Sequence, residues 1–316
     1  MPMSTLFSVL VDAVTPEGDD CVRLRLVARA GQDDLPRFEP GAHIDIMTPS
    51  GLIRQYSLCG SAEDRTGYEL CIKREATSRG GSESLCTGIR RGMELRISPP
   101  RNAFMLPDAQ RHILIGGGIG ITPLLSMMMY LQGRNADWQL HYYTRDPRRA
   151  PFGDMLRQSP FAPRVQFSPS LKNGYPDVLG TPSPDTAIML CGPDGFMNAV
   201  FSHAIAAGWQ ADQVHTEYFR PTETTHALSD RAFDVVLARS GQTVNVPAGQ
   251  SIAAALLAAG VDVDLSCEQG MCGACVVPLV AGEGDHRDMV LTEEEQGRSI
   301  ALCCSRSRSP SLTLDL

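Results

Sequence analysis

His112-Ile-Leu-Ile115-Gly116-Gly-Gly118-Ile-Gly120-Ile-Thr122-Pro123 leads from four strand-prone residues through a glycine-rich turn into a helix-like stretch, Leu124–Gln132. A strand, a glycine turn and a helix N-terminus make an anion site, because backbone N–H groups converge there and glycine lets a pyrophosphate approach. Pro123 stands where a Rossmann fingerprint would carry its third glycine, so this is not that fingerprint. Thr122 is expected as the helix N-cap and Pro123 as its first residue. The alternative is a purely structural turn. Outward from it, strand-like Leu140–Tyr143 and Ala187–Cys191 and helix-like Gly195–Ala207 extend the alternation over 108–222. Alternation of this kind predicts a parallel α/β sheet. Cys191-Gly192-Pro193 closes an apolar strand, and open α/β sheets bind ligands at the carboxyl ends of their strands. Cys191 is then placed to line a nicotinamide site, its plain alternative being a buried cysteine.

The preceding region, 1–107, has short strand-like runs at Val22–Val27, Ile44–Met47, Tyr56–Leu58, Tyr68–Lys73 and Glu94–Ile97, broken by Gly and Pro as in Pro40-Gly41. These predict an antiparallel barrel or sandwich. Arg220–Asp230 (RPTETTHALSD) is polar and Thr-rich and looks like a linker. Beyond it, Phe233–Arg239 and Thr243–Val246 suggest a hairpin, and Ser251–Ala259 a helix.

Cys267-Glu-Gln-Gly-Met-Cys272-Gly-Ala-Cys275 follows, with Cys303-Cys304 near the C-terminus. The C-x4-C-x2-C spacing with one later cysteine is that of a plant-type [2Fe–2S] cluster. Zinc usually takes its cysteines as two short pairs, which this spacing does not offer. Gly270 and Gly273 suit a loop that wraps closely and turns N–H groups toward sulfur. Composition leaves Cys303 and Cys304 both open as the fourth ligand; neighbours on a strand would face opposite ways, so one should reach the cluster. Such a cluster carries single electrons, so the rest of the chain must supply them.

Ten cysteines and no secretory leader point to a reducing, cytoplasmic setting. No apolar run approaches the ~20 residues that a membrane span needs. The net charge of -8 disfavours nucleic acid as a partner. From Ala232 to Leu316, eleven acids stand against five bases, so this stretch holds -6 of the -8. That is either a solvated face or a docking surface for a basic redox partner.

Arg54-Gln-Tyr56-Ser57-Leu58 sets an arginine beside a hydroxyl, and Ser78-Arg79-Gly80-Gly81-Ser82 precedes a helix-like stretch. Both suit a phosphate-bearing ligand. Together with PPRNAF (99–104), GGGIGITPL (116–124), CGPDGFM (191–197), HTEYF (215–219), the cysteine loop and CCSR (303–306), they resemble the ferredoxin–NADP reductase superfamily. Within it, the chain is most similar to the phthalate dioxygenase reductase branch, which includes vanillate O-demethylase reductases. The resemblance spans almost the whole chain, in the family's order.

It implies a multidomain fold: an antiparallel β-barrel flavin domain (1–107), an α/β parallel-sheet NAD domain (108–222), and a linker with an α+β β-grasp ferredoxin domain (223–316). It implies FMN rather than FAD. Arg54 would contact the FMN, Tyr56 would pack near the isoalloxazine, and the Ser57 hydroxyl would sit close to N5. Gly80, Gly81 and Ser82 would cradle its phosphate, with Gln55, Lys73 and Arg79 completing that set. Gly117, Gly118, Gly120, Thr122, Cys191, Gly192 and Pro193 would hold the nucleotide. Phe219 would cover the flavin face where nicotinamide stacks. Ser57, Thr122, Cys191 and Phe219 are the expected catalytic positions. Arg145, Arg148 and Arg149 would suit a 2′-phosphate, whereas Asp146 suits a ribose diol; the branch generally prefers NADH. The family's last motif, usually C-V-S-R, makes Cys267, Cys272, Cys275 and Cys303 the cluster ligands. Cys304 departs from it.

The implied function is the reductase component of a multicomponent oxygenase. Electrons would pass from NADH through FMN and the [2Fe–2S] cluster to a separate Rieske-type oxygenase. The alternative is a stand-alone electron carrier or redox sensor without NAD turnover. A monomer suffices, because the transfer between cofactors is intramolecular.

Overall fold

The computed structural model describes residues 6–31, 34–75, 80–169, 179–219, 230–265, 270, 273–288 and 290–316. Ser78, Arg79, Cys267, Cys272 and the expected linker before Asp230 lie outside the described residues. Two compact units result, Leu6–Phe219 and a second that runs from there to the C-terminus.

The first unit begins with six antiparallel strands: β1 (Phe7–Glu17), β2 (Cys21–Val27), β3 (His43–Met47), β4 (Ile53–Ser57), β5 (Tyr68–Lys73) and β6 (Glu94–Ile97). Helix α1 (Gly81–Gly88) lies between β5 and β6 in the chain. The sheet order is β4-β3-β6-β1-β2-β5. A bridge between Leu58 and Leu70 joins the two ends of that order and closes the barrel. In β2, Leu24 and Leu26 alternate into the core, while Arg25 turns outward to Asp64 and Glu69. Full burial of each such leucine contributes about 1.5–3 kcal/mol. The long strand β1 escapes a sequence reading because its pairing shifts between Val11 and Ala13. A bulge there moves the buried face, so the alternation that marks a strand is lost halfway.

The same unit continues with five parallel strands, β7 (Arg111–Gly117), β8 (Asp137–Tyr143), β9 (Val165–Ser168), β10 (Thr186–Cys191) and β11 (Val214–Glu217). Their order is β11-β10-β7-β8-β9. Helices α2 (Ile121–Gly133), α3 (Gly153–Gln158) and α4 (Asp194–Ala206) connect them. The chain moves from β7 toward β9 and then returns to the other side of β7. The switch of direction therefore falls between β7 and β10, where open α/β sheets place their ligands.

Helix α2 starts at Ile121, not after Thr122, and this corrects the expected cap. A 3-10 turn over Gly118–Gly120 begins the helical course early. The Thr122 hydroxyl instead donates to Ile119 O at 3.0 Å. Pro123 sits in the third helical position, where its missing N–H costs nothing.

The second unit has β12 (Phe233–Leu237), β13 (Thr243–Val246), β14 (Val276–Ala281), β15 (Gly284–Asp285), β16 (Ser299–Ala301), β17 (Arg306–Ser307) and β18 (Ser311–Leu314). Its helices are α5 (Ile252–Ala258) and α6 (Glu293–Gln296). The five-stranded sheet runs β13-β12-β18-β14-β16, with β15 and β17 as a separate ribbon. The apolar face of α5, Ile252, Ala255 and Leu256, packs with Val235, Val246, Leu312 and Leu314.

Candidate active site and cluster loop

The turns after β7 and β10 lie side by side, because Cys191 pairs in register with Gly116. A Cβ on Gly120 would strike the Cys191 carbonyl and lie 2.6 Å from Gly192 N, so only glycine lets the two turns meet. Gly118 has φ +56 and open space where a side chain would stand. The Tyr142 hydroxyl donates to Gly118 O at 3.0 Å and fixes that turn from β8. Gly117, Gly118, Gly120, Thr122, Cys191, Gly192 and Pro193 are thus gathered at the carboxyl ends of two neighbouring inner strands. Cys191 is fully buried. Burial pushes its thiol well above the ordinary range, with Glu217 adding to the effect.

At the loop after β8, Arg148 grips Asp146 through two hydrogen bonds, Nε to Oδ1 at 3.1 Å and Nη2 to Oδ2 at 3.0 Å. That contact holds the Asp146 carboxyl below the usual carboxylate range. Arg149 pairs with Asp19 from the turn between β1 and β2. Two of the three arginines are therefore neutralised, and Arg145 stands exposed beside them.

The barrel brings Arg54 against the start of α1. A Cβ on Gly81 would lie 3.0 Å from Arg54 Cγ and 3.1 Å from its Nε, so the guanidinium stem crosses the first turn at van der Waals range. Gly80 caps that helix with φ +94. Ser82 is buried, and its hydroxyl accepts from Glu75 N at 3.2 Å. Lys73 pairs with Glu75 at 3.1 Å. Gln55 has a buried amide nitrogen with no hydrogen-bond partner among the described residues. An orphaned donor, a guanidinium and an open helix N-terminus fit a phosphate-bearing aromatic cofactor. Tyr56 is half-buried beside them, and burial raises its phenol.

A feature that sequence reading passed over joins the barrel to the parallel sheet. Glu217, the last residue of β11, sits in the HTEYF segment. The Ser57 hydroxyl donates to its Oε2 at 3.5 Å, and His43 Nδ1 lies 4.0 Å from its Oε1. His43 and Ser57 are direct partners across β3 and β4. Burial pushes the Glu217 carboxyl up to about 8, against a lowering by the Ser57 hydrogen bond. Two residues on, half-buried Phe219 packs against the core cluster that holds Cys191. The one signal in the sequence was an acid at the end of an otherwise uncharged strand.

In the second unit, Cys275 is buried and Cys303 half-buried. The Gly270 N–H donates to Cys303 Sγ at 3.1 Å. Gly270 has φ +72, and a Cβ there would lie 2.5 Å from Cys304 Sγ and 3.0 Å from Asp288 Cα. Cys303 and Cys304 lie in a turn after β16 rather than on a strand, so the opposite-face expectation does not apply to them. Four thiolates at this spacing suit an iron–sulfur cluster, and the N–H to sulfur contact is of the kind that tunes one.

The SR of CCSR is anchored below. Ser305 is fully buried and donates to Asp288 Oδ1 at 3.2 Å; the buried Asp288 also accepts from Leu291 N at 2.9 Å. Arg306 is buried and donates to the carbonyls of Arg231 and Pro247, each at 3.0 Å, and of Gln250. Its guanidinium lies 5.1 Å from the Phe233 ring centre. No helix among the described residues is long and apolar enough to cross a membrane.

Residues 235–308 match the 2Fe-2S iron-sulfur cluster binding domain family. The chain is 42% identical to vanillate O-demethylase oxidoreductase of Pseudomonas putida, over 97% of this chain and 100% of that one. It is 37% identical to the carnitine monooxygenase reductase subunit of Escherichia coli K12, over 98% of each chain. A solved phthalate dioxygenase reductase, described as a modular structure for electron transfer from pyridine nucleotides to [2Fe-2S], superposes with a TM-score of 0.76 at 36% identity. That match covers 99% of this chain and 98% of the other. The chain belongs to this family of oxygenase reductases, and is an iron–sulfur oxidoreductase with a barrel, a parallel α/β sheet and a C-terminal ferredoxin domain.

Proposed function

We propose that this chain takes electrons from NADH and passes them through FMN and its [2Fe–2S] cluster to a separate Rieske-type oxygenase. The observation that carries the reading is the convergence of two sites in one compact unit. The Arg54–Ser57 strand of the barrel meets the end of β11 through the Ser57–Glu217 contact, beside the paired turns of β7 and β10. FMN bound there would supply the conversion of a two-electron hydride into the single electrons that a cluster accepts.

The chain's own residues bind, orient and exclude water. Arg54 and the first turn of α1 would hold the phosphate, with Gly80, Gly81 and Ser82 leaving room for it. Gly117, Gly118 and Gly120 would admit the pyrophosphate of the nucleotide. Ionised Asp146 favours a ribose diol and repels a 2′-phosphate, which selects NADH. Buried, uncharged Cys191 and half-buried Phe219 give the nicotinamide an apolar wall. Glu217, its carboxyl raised by withdrawal from water, would hold a proton next to Ser57 Oγ. Cys267, Cys272, Cys275 and Cys303 would ligate the cluster, with Gly270 donating to Cys303.

The relatives are named for vanillate, carnitine and phthalate systems. Substrate choice in this reading therefore resides in the oxygenase partner. Anaerobic mixing with NADH in a stopped-flow instrument should bleach the flavin first and the cluster second. Cluster bleaching that precedes flavin bleaching, or fails to follow it, contradicts the reading.

A further inference from the structure

The loop between β8 and α3 carries Asp146, and it is held from outside its own sheet. The turn between β1 and β2 comes against it. Asp19 N donates to Arg149 O at 3.1 Å, and Arg149 N donates in turn to Asp146 O at 3.1 Å. One residue thus passes the barrel's contact on to the backbone of Asp146. The Arg149 guanidinium closes the same junction on the Asp19 carboxylate. Gly18 has φ +58, and a Cβ there would lie 2.5 Å from Arg149 O and 3.0 Å from Pro151 N. Backbone meets backbone here, which glycine alone allows.

The second hold is at Phe152. Its backbone is left-handed, with φ 60 and ψ 8. A bulky residue rarely adopts that conformation, and keeps it only where the surroundings impose it. Glu17, the last residue of β1, supplies the constraint: its Oε1 accepts from Phe152 N at 2.8 Å. Phe152 is buried in the core cluster that holds Cys21, Cys71 and Tyr142. The Tyr142 hydroxyl lies 3.1 Å from Pro151 O and 3.0 Å from Gly118 O, so the held segment also borders the glycine turn.

We propose that Glu17 is a positioning residue for the nucleotide site: the barrel's β1–β2 turn fixes the loop that presents Asp146, so selection between NAD and NADP depends on a flavin-domain residue outside both cofactor sites. Without the Glu17 acceptor, Phe152 relaxes toward ordinary backbone angles. The Asp146 carboxylate then loses the fixed place from which it accepts from a ribose diol and repels a 2′-phosphate. Asp19 and Gly18 hold the same loop at Arg149, one by hydrogen bond and ion pair and the other by close approach.

This inference rests on the proposed role of Asp146, and it is measured without electron transfer. Oxidised holoprotein is titrated with NAD+ and with NADP+ by calorimetry, flavin and cluster absorbance serving as the check on folding. Glu17→Ala should narrow the preference for NAD+ by about fivefold, the order of one lost hydrogen bond. Glu17→Gln keeps an oxygen that can accept from Phe152 N and should restore the wild-type preference. A merely structural role would weaken both nucleotides alike. An unchanged preference in folded Glu17→Ala, or a glutamine variant as impaired as the alanine one, overturns the proposal. If Glu17→Ala fails to fold, Gly18→Ala decides: its Cβ displaces Arg149 and should narrow the preference likewise, and an unmoved ratio overturns the proposal. A wild type that does not prefer NAD+ would overturn the Asp146 reading and this inference with it. A preferring wild type with unmoved variants overturns this inference alone.

Discussion

Glu217 in the first unit and Asp230 in the second are carboxylates largely withdrawn from water, with side chains 11% and 6% exposed, and they are held in opposite ways. Asp230 receives two hydrogen bonds from Arg287, at 3.2 and 2.6 Å, and lies 3.5 Å from Arg306 Nε. Glu217 meets a hydroxyl and an imidazole. Two guanidiniums surround Asp230, and breaking such an arrangement exposes uncompensated charge. At Glu217, withdrawal from water pushes the carboxyl up instead. The first arrangement fixes the chain ahead of β12; the second sets a carboxyl beside the Ser57 hydroxyl.

The contrast breaks most visibly at Arg306. Arg306→Ala removes donors to three carbonyls and one partner of Asp230, and should cost the second unit about 3–5 kcal/mol. Thermal loss of the cluster's visible absorbance reads this out, and an unchanged midpoint would contradict the structural role.

Glu217→Gln probes the other side. The folded carboxyl titrates at about 8 against an ordinary value of 4.5. With the folded value raised, its contribution to stability is complete below the ordinary value and is lost as pH rises through the folded one. Between these limits the wild type should lose up to about 1.4 kcal/mol per pH unit relative to the glutamine variant. Parallel stability curves from pH 5 to 8 would remove the raised carboxyl from the account.

Asp146→Ala should free Arg148 and raise the ratio of kcat/KM for NADPH over NADH by about tenfold, or 1.4 kcal/mol. Steady-state kinetics with both nucleotides checks this. The smallest effect belongs to Arg308, exposed and 3.7 Å from both Glu283 and Asp285. Arg308→Ala should change stability by less than about 1 kcal/mol in denaturant titration.

Motifs whose demands are local could be read from the chain. The turn at 116–120 needs glycine for close approach, and the cysteine loop needs its spacing, wherever either sits in a fold. Thr122 was misplaced because a glycine turn can itself begin a helix, which residue preference at caps does not register. Strand β1 was hidden by its bulge. Glu217 and His43 were missed for a deeper reason: residues 43, 57 and 217 come together only after the barrel has closed and met the parallel sheet. No spacing rule links them, since their contact depends on the register of β3 with β4 and on the order of the parallel strands.

Anaerobic titration of the holoprotein with NADH, followed by absorbance and electron paramagnetic resonance, addresses the central claim most directly. Flavin and cluster together should take up about three electrons per chain, from about 1.5 NADH, with a reduced-cluster signal at the end point. Uptake that stops at about one NADH, with the flavin bleached and the cluster still oxidised, would contradict an electron path from nucleotide to cluster.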